Sequence, residues 1–348
     1  MLNSLTSLRF FFAFAVFLSH LTFVKTDLQW YNWLKNVVFF EGYVGVGFFF
    51  ILSGFVLALN YEHKIIDNPK FSFKNFYIAR MARVYPLHVL TFALMIPYVI
   101  IQGIFGWDKA LLNLFLLQSY IPIKDYNFSI NNVSWSISTE FFFYLMFPLY
   151  VIWLHKYKWL KYALFIIAIP LLIYFEPYVR GHKDWEKGFY YVNPIVRSLD
   201  FIIGILLCQV YKTIKDKQIS FTKGTLFEVG VLAVFILFFS YYGEVSRTFR
   251  FNIYYWIPMV LITLVFALQK GFISKLLQNK SLIYLGEISF GFYMIHMIVI
   301  KYGNYLVPEG NDFIKIGVYF TIAIILSILC FEFFEKPLAK KIKQIFTK

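Results

Sequence analysis

The chain has 348 residues, of which 60% are apolar, 22% aromatic and only 15% charged. A soluble domain averages about one-half apolar and one-quarter charged, so this composition excludes a large soluble catalytic body and places any chemistry among membrane helices. The formal charge of +14 would point to nucleic acid in a soluble chain; in a membrane chain it belongs to loops at one face, and no nucleic-acid partner is expected.

Apolar runs lie at 5–24, 42–61, 84–104, 135–154, 159–176, 193–211, 226–242, 253–269, 283–302 and 312–334. Each is long enough to cross about 30 Å of hydrocarbon as a helix. The expectation is an all-α polytopic fold of about ten transmembrane helices, forming one integral-membrane domain over 1–348. The first run lacks the basic leader and small-x-small cleavage site of a signal peptide, and it carries Arg9 and His20. It is therefore kept as the first span. Within the long loop 105–134, the stretch Leu111 to Tyr120 reads as re-entrant or interfacial, and the Asn-x-Ser matches at Asn127 and Asn132 read as chance. Cys208 and Cys330 sit inside apolar runs without metal-ligand spacing, so neither a disulfide framework nor a metal site is expected.

Loop charge orients the spans. Lys64, Lys70, Lys74, Arg80 and Arg83, three lysines at 156–161, four at 212–223, three at 270–280, and the tail from Lys336 to Lys348 fall in alternate loops. Together they hold 20 of the 33 basic residues, against nine in the other loops, including Lys183 and Lys187. That alternation places both termini in the cytoplasm.

Ionisable groups inside a span ask for a reason. Arg9 and His20 are eleven residues apart, about 20° from eclipsed on a helix and about 16 Å along its axis. One helix face then carries a cation near the cytoplasm and an imidazole toward the far side; snorkelling and a carbonyl-satisfied histidine are the bland alternatives. Arg80 and Arg83, at i and i+3 before Pro86, present two guanidiniums together, which suits phosphate as well as simple anchoring. Gly45, Gly47, Gly54 and Ser53 on the second span permit close approach of a neighbouring helix or a ligand. Glu140, about one and a half turns into the fourth span, calls for a partner, with His or Arg the expected choice. His296 lies in the same outer half, and Arg197 with Asp200 reads as a structural ion pair. Cations at one rim and acid–base groups across the bilayer describe a transfer device. No phosphate-cradling glycine loop or nucleophile elbow accompanies them.

These residues resemble the signature of the acyltransferase 3 family of integral-membrane acyltransferases. The resemblance rests on Arg9-x10-His20, the Val-Gly-Phe-Phe-Phe-Ile-Leu-Ser-Gly-Phe run within 45–55, Arg80-x-x-Arg83-x-x-Pro86, Trp135-Ser-Ile-Ser-Thr-Glu140, Arg197-Ser-Leu-Asp-Phe-Ile-Ile-Gly204, Ile288-Ser-Phe-Gly-Phe-Tyr-Met-Ile-His296 and Phe334-Glu-Lys-Pro337. They occur in order over nearly the whole chain. Departures are modest: Asp200 stands where Glu is common, and Phe290 and His88 differ from the usual residues.

The resemblance implies an O-acyltransferase that takes an acyl group, usually acetyl, from cytoplasmic acyl-coenzyme A to an extracytoplasmic glycan or lipid-linked glycan precursor. The setting implied is the bacterial cytoplasmic membrane. His20 would be the essential histidine, with Glu140 and His296 near the reaction. Arg9, Arg80, Arg83 and Ser53 would hold the donor acetyl-coenzyme A. His20 acts either as general base or as acyl carrier. Many relatives carry an additional esterase-like domain, and this chain is expected to be the stand-alone type. A glycan-precursor transporter and an inactive regulator on the same fold are the rival readings; the half-repeats of many transporters are not visible here.

Overall fold

The computed structural model describes residues 2–346, with Lys183 as backbone only; Lys348 of the expected basic tail and the side chain of Lys183 lie outside the described residues. Helices make up the whole architecture, with no strand among the described residues. We label the main ones α1 (Asn3–Ser19), α2 (Val44–Asp67), α3 (Phe73–Ile101), α4 (Trp107–Leu114), α5 (Trp135–Lys156) and α6 (Leu160–Arg180). There follow α7 (Pro194–Ile214), α8 (Phe221–Ser240), α9 (Trp256–Leu268), α10 (Lys280–Leu306), α11 (Asp312–Cys330) and α12 (Lys336–Phe346). Among the described residues eight helical stretches are long and apolar enough to cross a membrane, and α1 and the stretch Ile253–Leu268 are shorter apolar helices. The protein is an all-α polytopic membrane protein, the one architecture besides a closed barrel that satisfies its own backbone in lipid.

The helix starts follow from local chemistry. Ser72 accepts a hydrogen bond from the Asn75 amide and caps α3. Asn193 accepts from the amides of Ile195 and Val196, with Pro194 in the first turn of α7. Both side chains satisfy amides that a helix start leaves unpaired. Two boundaries differ from expectation. Helix α3 begins at Phe73, so Arg80 and Arg83 stand in its second and third turns rather than in a loop before the span. Helix α1 ends at Ser19, leaving His20 as its C-terminal cap rather than inside the span.

Small residues set the helix crossings, as they do where lipid supplies no hydrophobic drive between helices. A Cβ at Gly54 of α2 would lie 2.0 Å from the carbonyl oxygen of Phe201 on α7, and one at Gly204 of α7 would lie 2.0 Å from that of Ile51. The two glycines thus seat each helix on the other's backbone. Gly286 does the same for α10 against α1, where a Cβ would meet the Thr6 oxygen at 1.9 Å. Helices α1, α2, α5, α7 and α10 form the centre, while α6 and α8 present exposed apolar side chains such as Ile166, Tyr174, Leu226 and Ile236 at the periphery.

The Arg197–Asp200 pair forms inside this centre at 2.9 Å, with both side chains fully buried. Trp256 donates its indole N–H to Asp200, and Arg197 donates to the Phe251 carbonyl and lies over the Phe50 ring. The pair therefore ties α7 to α2 and to the start of α9.

The segment 105–134 is a folded plug rather than an open loop. Asn113, Gln118, Ser119, Asn127, Asn131 and Ser134 are all buried in it. The Asn113 amide donates to the Ser129 carbonyl and the Ser134 hydroxyl, and the Asn113 carbonyl faces His88 Nε2 at 2.9 Å. Asn131 donates to the Met294 carbonyl of α10 at 3.0 Å. His88 is thus a fully buried plug contact.

Candidate active site

A cavity of about 710 Å³ runs between α1, α2, α3, α5, α7 and α10. Five of the residues singled out in the sequence line it together: Arg9, Ser53, Arg80, Arg83 and Glu140. Arg9 comes from the first half of α1, Arg80 and Arg83 from one face of α3, Ser53 from α2 and Glu140 from α5. At one end lie Leu2, Thr6, Asn60 and the three arginines; at the other the lining passes to Val46, Phe49, Ser136 and Tyr293.

These arginines share a lack with Arg247, which lies outside the cavity over Phe40 and Phe251. Elsewhere Arg197 pairs with Asp200, Arg250 with Glu41 and Arg180 with Glu176. Among the described residues no carboxylate forms an ion pair with Arg9, Arg80 or Arg83. Arg80 donates to the Tyr61 hydroxyl at 3.3 Å and lies over the Tyr61 ring, while its Nε is buried without a partner. Arg83 is exposed. Three guanidiniums without an ion-paired carboxylate around one cavity form a candidate anion site, and their forked donors match phosphate or carboxylate oxygens.

Among the described residues Glu140 makes no hydrogen bond or ion pair with a histidine or arginine, although Arg9 lies within its electrostatic reach. Its Oε1 accepts from the Tyr144 hydroxyl at 2.6 Å and from the Ser53 hydroxyl at 3.1 Å, joining α5 to α2 on the cavity wall. Arg9 and Arg83 lie within electrostatic reach of a second carboxylate, Glu335, at the end of the turn that joins α11 to α12. Glu335 Oε1 is buried and unpartnered.

His20 and His296 do not line this cavity. They meet each other at the opposite end of α1, their ring centres 5.4 Å apart. His296 is fully buried, its Nδ1 is 3.2 Å from the Phe292 carbonyl, and its Nε2 has no hydrogen-bond partner among the described residues. Tyr293 stands between the two groups: it lines the cavity, and its ring lies 5.9 Å from that of His296. The structure thus gathers the arginines, Ser53 and Glu140 in one place and the two histidines in another. Tyr61, Tyr144 and Tyr293 were not singled out. The i, i+4 spacing of Glu140 and Tyr144 made that contact readable, whereas the Arg80–Tyr61 contact crosses helices and leaves no trace in the sequence.

A family model described as an acyltransferase domain matches residues 2–332. The chain is 32% identical over 332 residues to Acyltransferase MdmB of Streptomyces mycarofaciens, covering 88% of this chain and 80% of that protein. It is 24% identical over 365 residues to Peptidoglycan O-acetyltransferase OatA of Listeria monocytogenes, covering 97% of this chain and 56% of the relative. A protein of Staphylococcus aureus (strain COL) is 22% identical over 335 residues, covering 86% of this chain and 53% of the relative. The chain therefore spans little more than half the length of these last two. No solved structure matches.

Proposed function

The chain belongs to this acyltransferase family, and from that premise we propose that it carries an acetyl group from cytoplasmic acetyl-coenzyme A to a hydroxyl of a cell-surface glycan or its lipid-linked precursor. The observation that most supports the donor is the set of three guanidiniums without carboxylate partners around one cavity. Coenzyme A carries a pyrophosphate and a further phosphate, and the buried, unpartnered Nε of Arg80 is a donor that such an oxygen would satisfy. A glycan acceptor is supported by the peptidoglycan O-acetyltransferase among the relatives.

In this reading Arg9, Arg80 and Arg83 hold the anionic end of the donor at the cytoplasmic face. The basic loops argue for that orientation, since the arginines share their end of the bundle with Lys64 and α12. Glu140, Ser53 and Tyr144 hold the cavity wall against the donor's arm. The thioester supplies the acyl carbon and a sulfur leaving group. His20 accepts the proton of the acceptor hydroxyl as its oxygen bonds to that carbon, and the proton then passes to the departing sulfur. His296 stands beside His20, with ring centres 5.4 Å apart.

Turnover of acetyl-coenzyme A by the purified protein in detergent, with and without an envelope extract, tests the proposal. Acceptor-dependent thiol release is expected, together with loss of acetyl mass from envelope glycans in cells lacking the gene. Thiol release that ignores the extract, with unchanged glycan masses, would remove the glycan acceptor.

A further inference from the structure

The cavity and the histidine pair are separate, and one side chain makes the separation. Tyr293 is buried and lines the inner end of the cavity. Its hydroxyl pairs with the Ser136 hydroxyl at 2.9 Å and lies 3.3 Å from the Val133 carbonyl, both at the start of α5. Its other side faces His296, whose ring lies in turn 5.4 Å from that of His20. Phe49, 6.1 Å from the Tyr293 ring, completes the wall on the side of α2. A thioester seated in the cavity would meet this wall before it met an imidazole.

We propose that Tyr293, latched to Ser136, is a positioning residue that partitions the donor cavity from the histidines and opens only as acyl transfer proceeds. The proposal rests on the reading of the cavity as donor site and of His20 as the acid–base group. The chemistry gives the wall a purpose. In transfer, the acceptor oxygen bonds to the acyl carbon, the carbon–sulfur bond breaks and the acceptor's proton ends on sulfur. Water can take the acceptor's place, giving acetate and the free thiol. A closed wall keeps the imidazole from activating water against a waiting thioester, which is one service a shielded site performs. The latch is one hydroxyl shared between the Ser136 oxygen and the Val133 carbonyl, so its removal should raise the open population about five-fold.

Tyr293→Phe breaks the latch and Ser136→Ala weakens it, leaving the bond to the Val133 carbonyl; both keep the ring and the helix in place. The ratio of acetate released to acetyl transferred should rise about five-fold in Tyr293→Phe and by a smaller factor in Ser136→Ala. A second measurement does not depend on turnover: in a His20→Cys background, the rate of labelling by a water-soluble maleimide should rise by a similar factor when Tyr293→Phe is added. If wild-type protein transfers acetyl and neither the ratio nor the labelling rate moves, the partition is wrong and the acyltransfer reading stands. If labelling accelerates but wild-type protein transfers nothing, the partition stands and the proposed reaction fails. A lowered melting temperature with both readouts unchanged would make Tyr293 a packing residue only and overturn the proposal.

Discussion

The imidazole rings of His20 and His296 lie 5.4 Å apart, one on the C-terminal cap of α1 and the other in the middle of α10. Their surroundings differ. His296 is fully enclosed among Phe17, Phe292 and Tyr293, whereas His20 is half-buried and its side chain makes no hydrogen bond among the described residues. His20→Ala should therefore leave insertion and melting temperature near those of the parent, while acetyl transfer falls by about 10²–10⁴-fold, the usual cost of a lost general base. His296→Ala should reduce both transfer and stability, because it opens a cavity in a packed aromatic cluster. Transfer assays beside thermal unfolding in detergent separate the two. Near-parental activity in His20→Ala would take that residue out of the reaction.

Glu140 gives a different pattern, because its partners are hydroxyls on the cavity wall. Tyr144→Phe removes the bond at 2.6 Å and Ser53→Ala the bond at 3.1 Å. A hydrogen bond to a charged group contributes about 1.5–3 kcal/mol, so Glu140→Gln, which keeps the shape and drops the charge, should weaken donor binding or turnover about 10- to 100-fold. Each hydroxyl deletion should reproduce part of that loss. Calorimetry with acetyl-coenzyme A and steady-state assays of the three variants test this. If Tyr144→Phe and Ser53→Ala are silent while Glu140→Gln is inactive, the carboxylate works through some other contact.

What the sequence disclosed followed the range of the forces involved. The all-helical membrane class was legible because each span must satisfy its own backbone and bury a long apolar run, although eight stretches rather than ten reach full spanning length among the described residues. The Arg197–Asp200 pair was legible because its partners are three residues apart on one helix. The glycines of α2 announced close packing, but not that Gly54 and Gly204 rest on each other's helix, since that depends on a neighbour about 150 positions away. The same limit misplaced Glu140. Counting residues put it at the depth of His20, yet depth is one coordinate, and the rotation of α5 turns the carboxylate toward Ser53 and the arginines. The loop 105–134 hid its structure for another reason: it is tied together by buried polar contacts of Asn113, Ser129, Ser134 and Ser138, a network with no periodic signature.

The Arg197–Asp200 pair carries a stability prediction. Removing one partner of a buried pair leaves an uncompensated charge and costs about 3–5 kcal/mol. Arg197→Met should therefore lower the melting temperature sharply and leave acetyl-coenzyme A affinity of the folded fraction unchanged, because Arg197 does not line the main cavity. Adding Asp200→Leu should recover part of the loss, since an apolar pair of similar volume replaces a charge left alone. A double variant less stable than Arg197→Met would show that the indole bond from Trp256 to Asp200 outweighs the buried charge.

The donor arginines make the last prediction, and their unequal burial grades it. Arg80 is half-buried, stacked over Tyr61, and holds a buried Nε without a partner, whereas Arg83 is exposed at the rim. Lysine keeps the charge but not the planar fork, so substitution isolates geometry from electrostatics. Arg80→Lys should weaken acetyl-coenzyme A binding toward the upper part of a 10- to 100-fold range, the equivalent of about 1.5–3 kcal/mol for one charged hydrogen bond. Arg83→Lys should cost less, because solvent screens an exposed pair. Turnover at saturating donor should change little in either, since the contact is made to a part of the donor remote from the reacting carbon. Added salt should weaken binding in the parent, and by a smaller factor in Arg83→Ala, where the most exposed of the three cations is gone. Binding by calorimetry across a salt series measures all of this. Equal affinities in parent, Arg80→Lys and Arg83→Lys would reduce the arginines to anchors at the membrane face and move the donor site elsewhere.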